Sequence, residues 1–240
     1  MSGTPVTADG APGSEGQVRM KDRLRQLAHA VFGPLARRLY GLGIQPDHVT
    51  WVGLGLSVAA GLAFFEGLFR VAAIIAILSG LCDILDGQIA RVRGTTSRFG
   101  AFLDSTLDRF ADAALLLGIA GFYIANLVQL TTDPVRVMAD LERGLEPRTW
   151  ALVALLAVLA LLGSLMVSYT RARAEGLGLE CKVGWFERPE RLVLLIVAGL
   201  FGIGPVMPWA LLILTVMAFV TVVQRMSHVH KNTRGAGLDP

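Results

Sequence analysis

Long apolar runs separated by short polar breaks set the architecture of this chain. Residues 1–18 are rich in Gly, Pro, Ala, Ser and Thr and predict a disordered tail. They lack the charged start and uninterrupted apolar run of a signal peptide. Leu24, Leu27, Ala28, Val31, Phe32, Leu35 and Leu39 then recur at helical spacing, with Arg23, Arg25, Arg37 and Arg38 around them. That pattern predicts an amphipathic helix over residues 19–41, lying in the headgroup region and kinked at Pro34. GLGIQPDHVT breaks the pattern and restarts it, with Asp47 as a plausible helix cap. Six apolar spans follow, at about 49–65, 71–91, 99 to beyond 123, 150–169, 192–203 and from a GPVMP turn to near 224. Several approach the ~20 residues that cross a bilayer, and the fifth is short. The expected fold is an all-α integral membrane protein: an N-terminal amphipathic interfacial helix, a domain of six transmembrane helices over residues 42–226, and a cytoplasmic tail at 227–240.

Composition agrees with a membrane protein. Hydrophobic residues make up 53% of the 240 residues and charged ones 17%, and mean hydropathy is +0.57. Of the 22 Lys and Arg, only Arg70, Arg136, Arg143 and Arg148 fall on one side of the six spans. The other side, rich in basic residues, is expected to face the cytoplasm, across the cell (inner) membrane. No basic stripe is interleaved with exposed aromatics, so nucleic acid is excluded as a partner. Cys82 and Cys181 lack the spacing of a disulfide or zinc pair.

The chemistry lies where the apolar pattern fails. Asp83, Asp86, Asp104 and Asp108 stand in sequence that otherwise reads as membrane, where a carboxylate is costly unless compensated. Asp83 and Asp86 are i,i+3, and Asp104 and Asp108 are i,i+4, so each pair shares a helix face. With the hairpin turn near Thr95, Asp86 and Asp104 each lie nine residues from it. Asp83 and Asp108 lie twelve and thirteen away, giving two acidic levels roughly 5 Å apart. Four converging carboxylates call for cations between them. Their oxygen-only donor set suits Mg²⁺ or Mn²⁺, in a site for two ions. Arg91, eight residues after Asp83 and near its face, can donate to phosphate oxygens. Gly87, Ala90 and Gly100 allow close approach, either of a ligand or of another helix.

Asp83-x2-Asp86-Gly87-x2-Ala90-Arg91, eight residues, then Gly100-x3-Asp104-x3-Asp108 resembles the signature of the CDP-alcohol phosphatidyltransferases at every defining position. The resemblance implies transfer of a phosphatidyl group from CDP-diacylglycerol to an alcohol, with release of CMP. Carried over residue by residue, it implies that Asp83 and Asp104 bridge two ions and that Asp86 serves one. Asp108 would ligate the other and accept the proton of the incoming hydroxyl. Gly87, Arg91 and Ser97, with Pro46, Asp47, His48 and Val49, match positions that hold the CDP moiety. The resemblance also implies a homodimer.

For the acceptor, the informative stretch is SYTRARAEGLGLECKVGWFERPERL. It resembles the branch of the family whose acceptor is inositol 1-phosphate, a phosphorylated polyol, and implies that Arg171, Arg191 and Arg225 hold its phosphate. The first of these is commonly Lys in that branch, and Lys does not share the planar fork of Arg. Arg173 falls on a different helix face from Arg171. Glycerol 3-phosphate is the alternative acceptor. Cation transport is a distant alternative, disfavoured because the acids sit in one hairpin near one surface and no internal repeat is evident.

Overall fold

The computed structural model describes residues 32–93, 97–133 and 146–235 apart from 182 and 185, together with 135, 138, 141 and 142. The expected tail at 1–18, the first half of the amphipathic helix and the hairpin turn at Thr95 lie outside the described residues. A short helix, α1, covers residues 32–41. It is followed by α2 (Pro46–Phe65), α3 (Phe69–Arg93), α4 (Arg98–Thr132), α5 (Pro147–Gly176), α6 (Arg188–Leu200) and α7 (Val206–Gly235). Four of these are long and apolar enough to cross a membrane, over Pro46–Phe65, Arg98–Leu130, Arg148–Gly176 and Val206–Thr233. α3 has 25 residues but carries Asp83, Asp86 and Arg91, and α6 has only 13.

Two local expectations are corrected. Asp47 does not cap α2: Gln45 occupies that position without a side-chain bond, and Pro46 starts the helix. Proline suits a first turn because its missing N–H has no intrahelical partner there. The last helix also passes Gln224 and runs to Gly235, with Thr233 bonding back to the carbonyl of Val229 at 3.1 Å.

α2 packs on α3 and α4, α4 on α5, α5 on α7, α7 on α6 and α6 on α3, so the six helices close into a ring. One end of that ring is filled with apolar side chains. Phe64, Phe69, Phe122 and Tyr123 stack edge to face with ring centroids 5.1–6.2 Å apart, beside Trp150, Met207 and Leu211. The chain reverses between α2 and α3 at Gly67, where φ is 77°, a conformation that favours glycine. The buried face of α2 is made of Thr50, Gly53, Ser57, Ala60, Gly61 and Phe64, small residues that allow close helix contact. Ser57 and Ser79 bond across the α2–α3 seam at 2.7 Å, and Ser79 also donates to the Gly53 carbonyl at 2.9 Å. The opposite end of the ring carries the charged residues described below. The outer surface is apolar, with Trp51, Leu62, Ile74, Leu117, Leu152, Trp209 and Val223 exposed.

α2 and α4 meet backbone to backbone. A Cβ on Gly118 would overlap the carbonyl of Gly61, and one on Gly61 would overlap the carbonyl of Ala114. Gly118→Ala is expected to separate the helices at a cost of ~1–3 kcal/mol, read as a lowered thermal midpoint in detergent. Ala at Gly55, which has open space around it, is the control and should leave the midpoint unchanged.

Candidate active site

The charged end is built from the second half of α3, the first half of α4, the first turns of α2 and α6, and the C-terminal halves of α5 and α7. Thr50 in α2 is buried, donates to Asp86 Oδ2 at 2.8 Å and fixes that carboxylate. Ser97 caps α4 by accepting from the Gly100 amide at 2.8 Å. On α4, Asp104, Asp108 and Asp112 recur every four residues and form one acidic stripe facing α3 and α6. The third of these escaped the sequence reading, although its spacing from Asp108 repeats that of Asp108 from Asp104.

Two cavities flank the acids. The first, about 290 Å³, is lined by Pro46, Asp47, Thr50, Asp86, Gly87, Ala90, Arg91, Ser97, Gly100, Ala101 and Asp104. Five of the seven residues expected to hold a nucleotide are therefore brought together, but His48 and Val49 are not among the lining residues. Both stand in the first turn of α2, with His48 exposed. A Cβ on Gly87 would meet nothing within 4 Å, which excludes helix packing as the reason for a small residue there.

The second cavity, about 610 Å³, brings Arg171, Arg191 and Arg225 together with Asp108, Asp112, Glu187 and Arg188. Arg191 and Arg225 are almost fully buried, 4% and 2% exposed. Arg225 Nε donates to the Val183 carbonyl at 2.9 Å, and its Nη1 donates to the Val167 carbonyl. Arg191 Nη2 donates to Asp112 Oδ2 at 3.0 Å. Arg171 pairs with Glu175 at 2.9 Å on its own helix. Arg173 turns into a separate groove with Tyr169 and His230. Ala101 lines both cavities, and the acidic stripe of α4 runs from Asp104 in the first to Asp108 in the second.

The largest addition to the sequence reading is Arg188. From the first turn of α6 its Nη1 donates to Asp83 and lies 3.0 Å from Asp108 Oδ1, while its Nε lies 3.5 Å from Asp112 Oδ1. One guanidinium thus joins α3, α4 and α6. The ERPER segment displayed this residue, but sequence alone could not choose between its two arginines, three positions apart and on one helix face. Among the described residues, Arg188 Nε and Arg191 Nε are buried donors with no hydrogen-bond acceptor, a combination that favours an anionic ligand. The oxygen-only donor set of Asp83, Asp86, Asp104 and Asp108 fits hard divalent cations. No three acids of the described residues group closely enough around one point to hold an ion in their present rotamers. Cys82 and Cys181 are both free.

Comparison with known proteins agrees with this arrangement. The profile of the CDP-alcohol phosphatidyltransferases matches residues 44–224. An archaetidylinositol phosphate synthase of Methanothermobacter thermautotrophicus is 33% identical, covering 88% of this chain and 94% of its own. A phosphatidylinositol phosphate synthase of Streptomyces avermitilis is 34% identical, covering 98% and 93%. The crystal structure of the Mycobacterium tuberculosis phosphatidylinositol phosphate synthase with CDP-DAG bound superposes with a TM-score of 0.67 at 32% identity, covering 83% of this chain and 94% of that one. The same enzyme has been solved in complex with manganese and citrate, with a TM-score of 0.67, 32% identity and coverage of 82% and 88%. The chain belongs to the CDP-alcohol phosphatidyltransferase family and is a membrane-embedded transferase of phospholipid biosynthesis.

The shared carboxylate generates a stability test. Asp112→Ala leaves buried Arg191 without the acid it bonds, an uncompensated charge expected to cost ~3 kcal/mol. Asp112→Asn keeps an acceptor oxygen and should lose clearly less. Thermal unfolding of the two variants in one detergent measures the difference.

Proposed function

We propose that this enzyme transfers the phosphatidyl group of CDP-diacylglycerol to inositol 1-phosphate, giving phosphatidylinositol phosphate and CMP. The observation that carries the reading is that two cavities lie side by side along the acidic stripe of α4. One holds the residues suited to a nucleotide diphosphate, and the other gathers three arginines from α5, α6 and α7. Similarity to phosphatidylinositol phosphate synthases supports the acceptor. It also favours a reaction assisted by Mg²⁺ or Mn²⁺, since one such relative was solved with manganese.

Pro46, Asp47, Gly87, Arg91 and Ser97 would position the CDP moiety, with Arg91 donating to its phosphates. His48 and Val49, on the same turn, belong to this assignment through the family resemblance. Asp83, Asp86, Asp104 and Asp108 would hold two divalent ions, which when bound neutralise the pyrophosphate and align it for in-line attack. Thr50 holds Asp86 in place for that role. Arg171, Arg191 and Arg225 would grip the acceptor's phosphate, leaving its hydroxyl toward Asp108. Asp108 takes the hydroxyl proton as the new oxygen–phosphorus bond forms and the bond to the CMP oxygen breaks. In this reading α3 and α6 complete six transmembrane helices, residues 19–41 rest in the headgroup layer, and the site opens to the cytoplasm. The basic residues gathered at that end support the orientation. The resemblance extends to a homodimer, which cross-linking in native membranes tests.

CMP release by the purified protein, with CDP-diacylglycerol and Mn²⁺ or Mg²⁺, decides the acceptor. Inositol 1-phosphate should outpace both inositol and glycerol 3-phosphate, and excess EDTA should stop turnover. Faster turnover with glycerol 3-phosphate would reassign the acceptor and leave the class intact. Asp108→Asn should lower kcat by roughly 10²–10⁴ while CDP-diacylglycerol still binds. Alanine at Arg171, Arg191 or Arg225 should raise KM for inositol 1-phosphate roughly tenfold to a hundredfold. The KM for CDP-diacylglycerol should change much less, and Arg173→Ala should have little effect on either.

A further inference from the structure

Arg188 has two sets of partners within reach. On one side are Asp83 and Asp108, two of the acids assigned above to the ions, and both contact its Nη1. On the other side is the arginine cavity, which its side chain also lines. Asp112 stands between them. Its Oδ1 faces Arg188 Nε at 3.5 Å, and its Oδ2 is taken by Arg191 at 3.0 Å.

Divalent ions held by Asp83 and Asp108 would compete for the oxygens that Arg188 contacts and, at that range, repel its positive charge. The ion carries twice the charge, so the guanidinium yields. Asp112 lies outside the proposed ligand set, and its Oδ1, an ion-pair partner 3.5 Å from Nε without a hydrogen bond in this arrangement, stays beside the guanidinium while the Nη groups swing away. A lysine could not divide its contacts in this way, because it lacks the separate Nε and Nη donors of the planar fork.

We propose that Arg188 is a displaceable internal cation: it neutralises Asp83 and Asp108 until a divalent ion binds them, then pivots on Asp112 into the arginine cavity and becomes a fourth donor to the acceptor's phosphate. The proposal rests on the metal-assisted reading and adds a coupling between the two cavities. Metal binding releases a donor for the acceptor, and by linkage the acceptor strengthens metal binding.

The test is Mn²⁺ binding to the purified full-length protein without substrates, followed by the electron paramagnetic resonance of free Mn²⁺. Arg188→Gln removes the competitor and should bind Mn²⁺ roughly tenfold tighter or more. Arg188→Lys keeps the charge without the fork and should fall between Gln and wild type. It also guards against a Gln variant that fails to fold, as judged by size-exclusion profile. Calorimetry with inositol 1-phosphate supplies the second readout. Wild type and Arg188→Gln should bind it alike without metal, and Mn²⁺ should strengthen binding more in the wild type. Unchanged or weaker Mn²⁺ affinity in the folded variants overturns the competition and leaves Arg188 a structural tie. An equal gain from Mn²⁺ in both proteins overturns the pivot. A wild type that binds no Mn²⁺ would overturn the metal reading as well, an outcome distinct from either of these.

Discussion

Like charges held close together in a low-dielectric environment must be neutralised, and the charged end of this molecule is arranged around that need. Asp83 and Asp86 on α3 face Asp104, Asp108 and Asp112 on α4. The Coulomb energy of such a cluster would force the helices apart unless positive charge entered it. Arg188 provides that charge by touching acids on both helices at once. Arg191 then neutralises the innermost acid from the same helix face. The short helix α6 is in effect a carrier for two guanidinium groups, and its proline-containing first turn sets them against the inner acids of the rows.

The division of the ring into an apolar end and a charged end follows from the same requirement. Aromatic packing around Phe69 and Phe122 holds the helices together where no charge has to be accommodated. At the other end, cavities replace packing, and the polar side chains that remain are fixed by directed bonds such as Thr50 to Asp86. A charged end that keeps two cavities of about 290 and 610 Å³ open cannot be filled with side chains. Its stability is supplied from a distance, by the closed end.

Much of this was legible in the sequence because it depends on periodicity within one helix. The all-helical pattern and the shared faces of the acid pairs follow from spacing alone. So does the divergence of Arg171 and Arg173, which do turn into different cavities. What depends on contacts between helices was not legible. Arg188 and Arg191 look equivalent in the chain, and only packing shows that one reaches Asp83 and both reach Asp112. Thr50 and Asp112 sat on faces already marked by Asp47 and Asp108, but only packing against Asp86 and Arg191 shows that they are tied into the site. The Asp47 cap failed because Pro46 set the helix start two residues earlier, with Gln45 at the cap position. The last helix outran its apolar stretch because its backbone bonds continue wherever the polar residues tolerate a helix. For Gly87, spacing allowed packing or ligand approach, and the open space around it decided between them.

The glycine contact between α2 and α4 has a mechanical side. Two stiff rods that touch at Gly61 and Gly118 form a pair of scissors, with that contact as the rivet. The nucleotide-side cavity, bounded by Pro46 and Asp47 on one blade and Gly100 and Asp104 on the other, lies about fourteen residues away, roughly 20 Å along each helix. A small rotation at the rivet becomes a displacement of several ångströms at the blades. The width of that cavity is thus governed by a joint that never touches it.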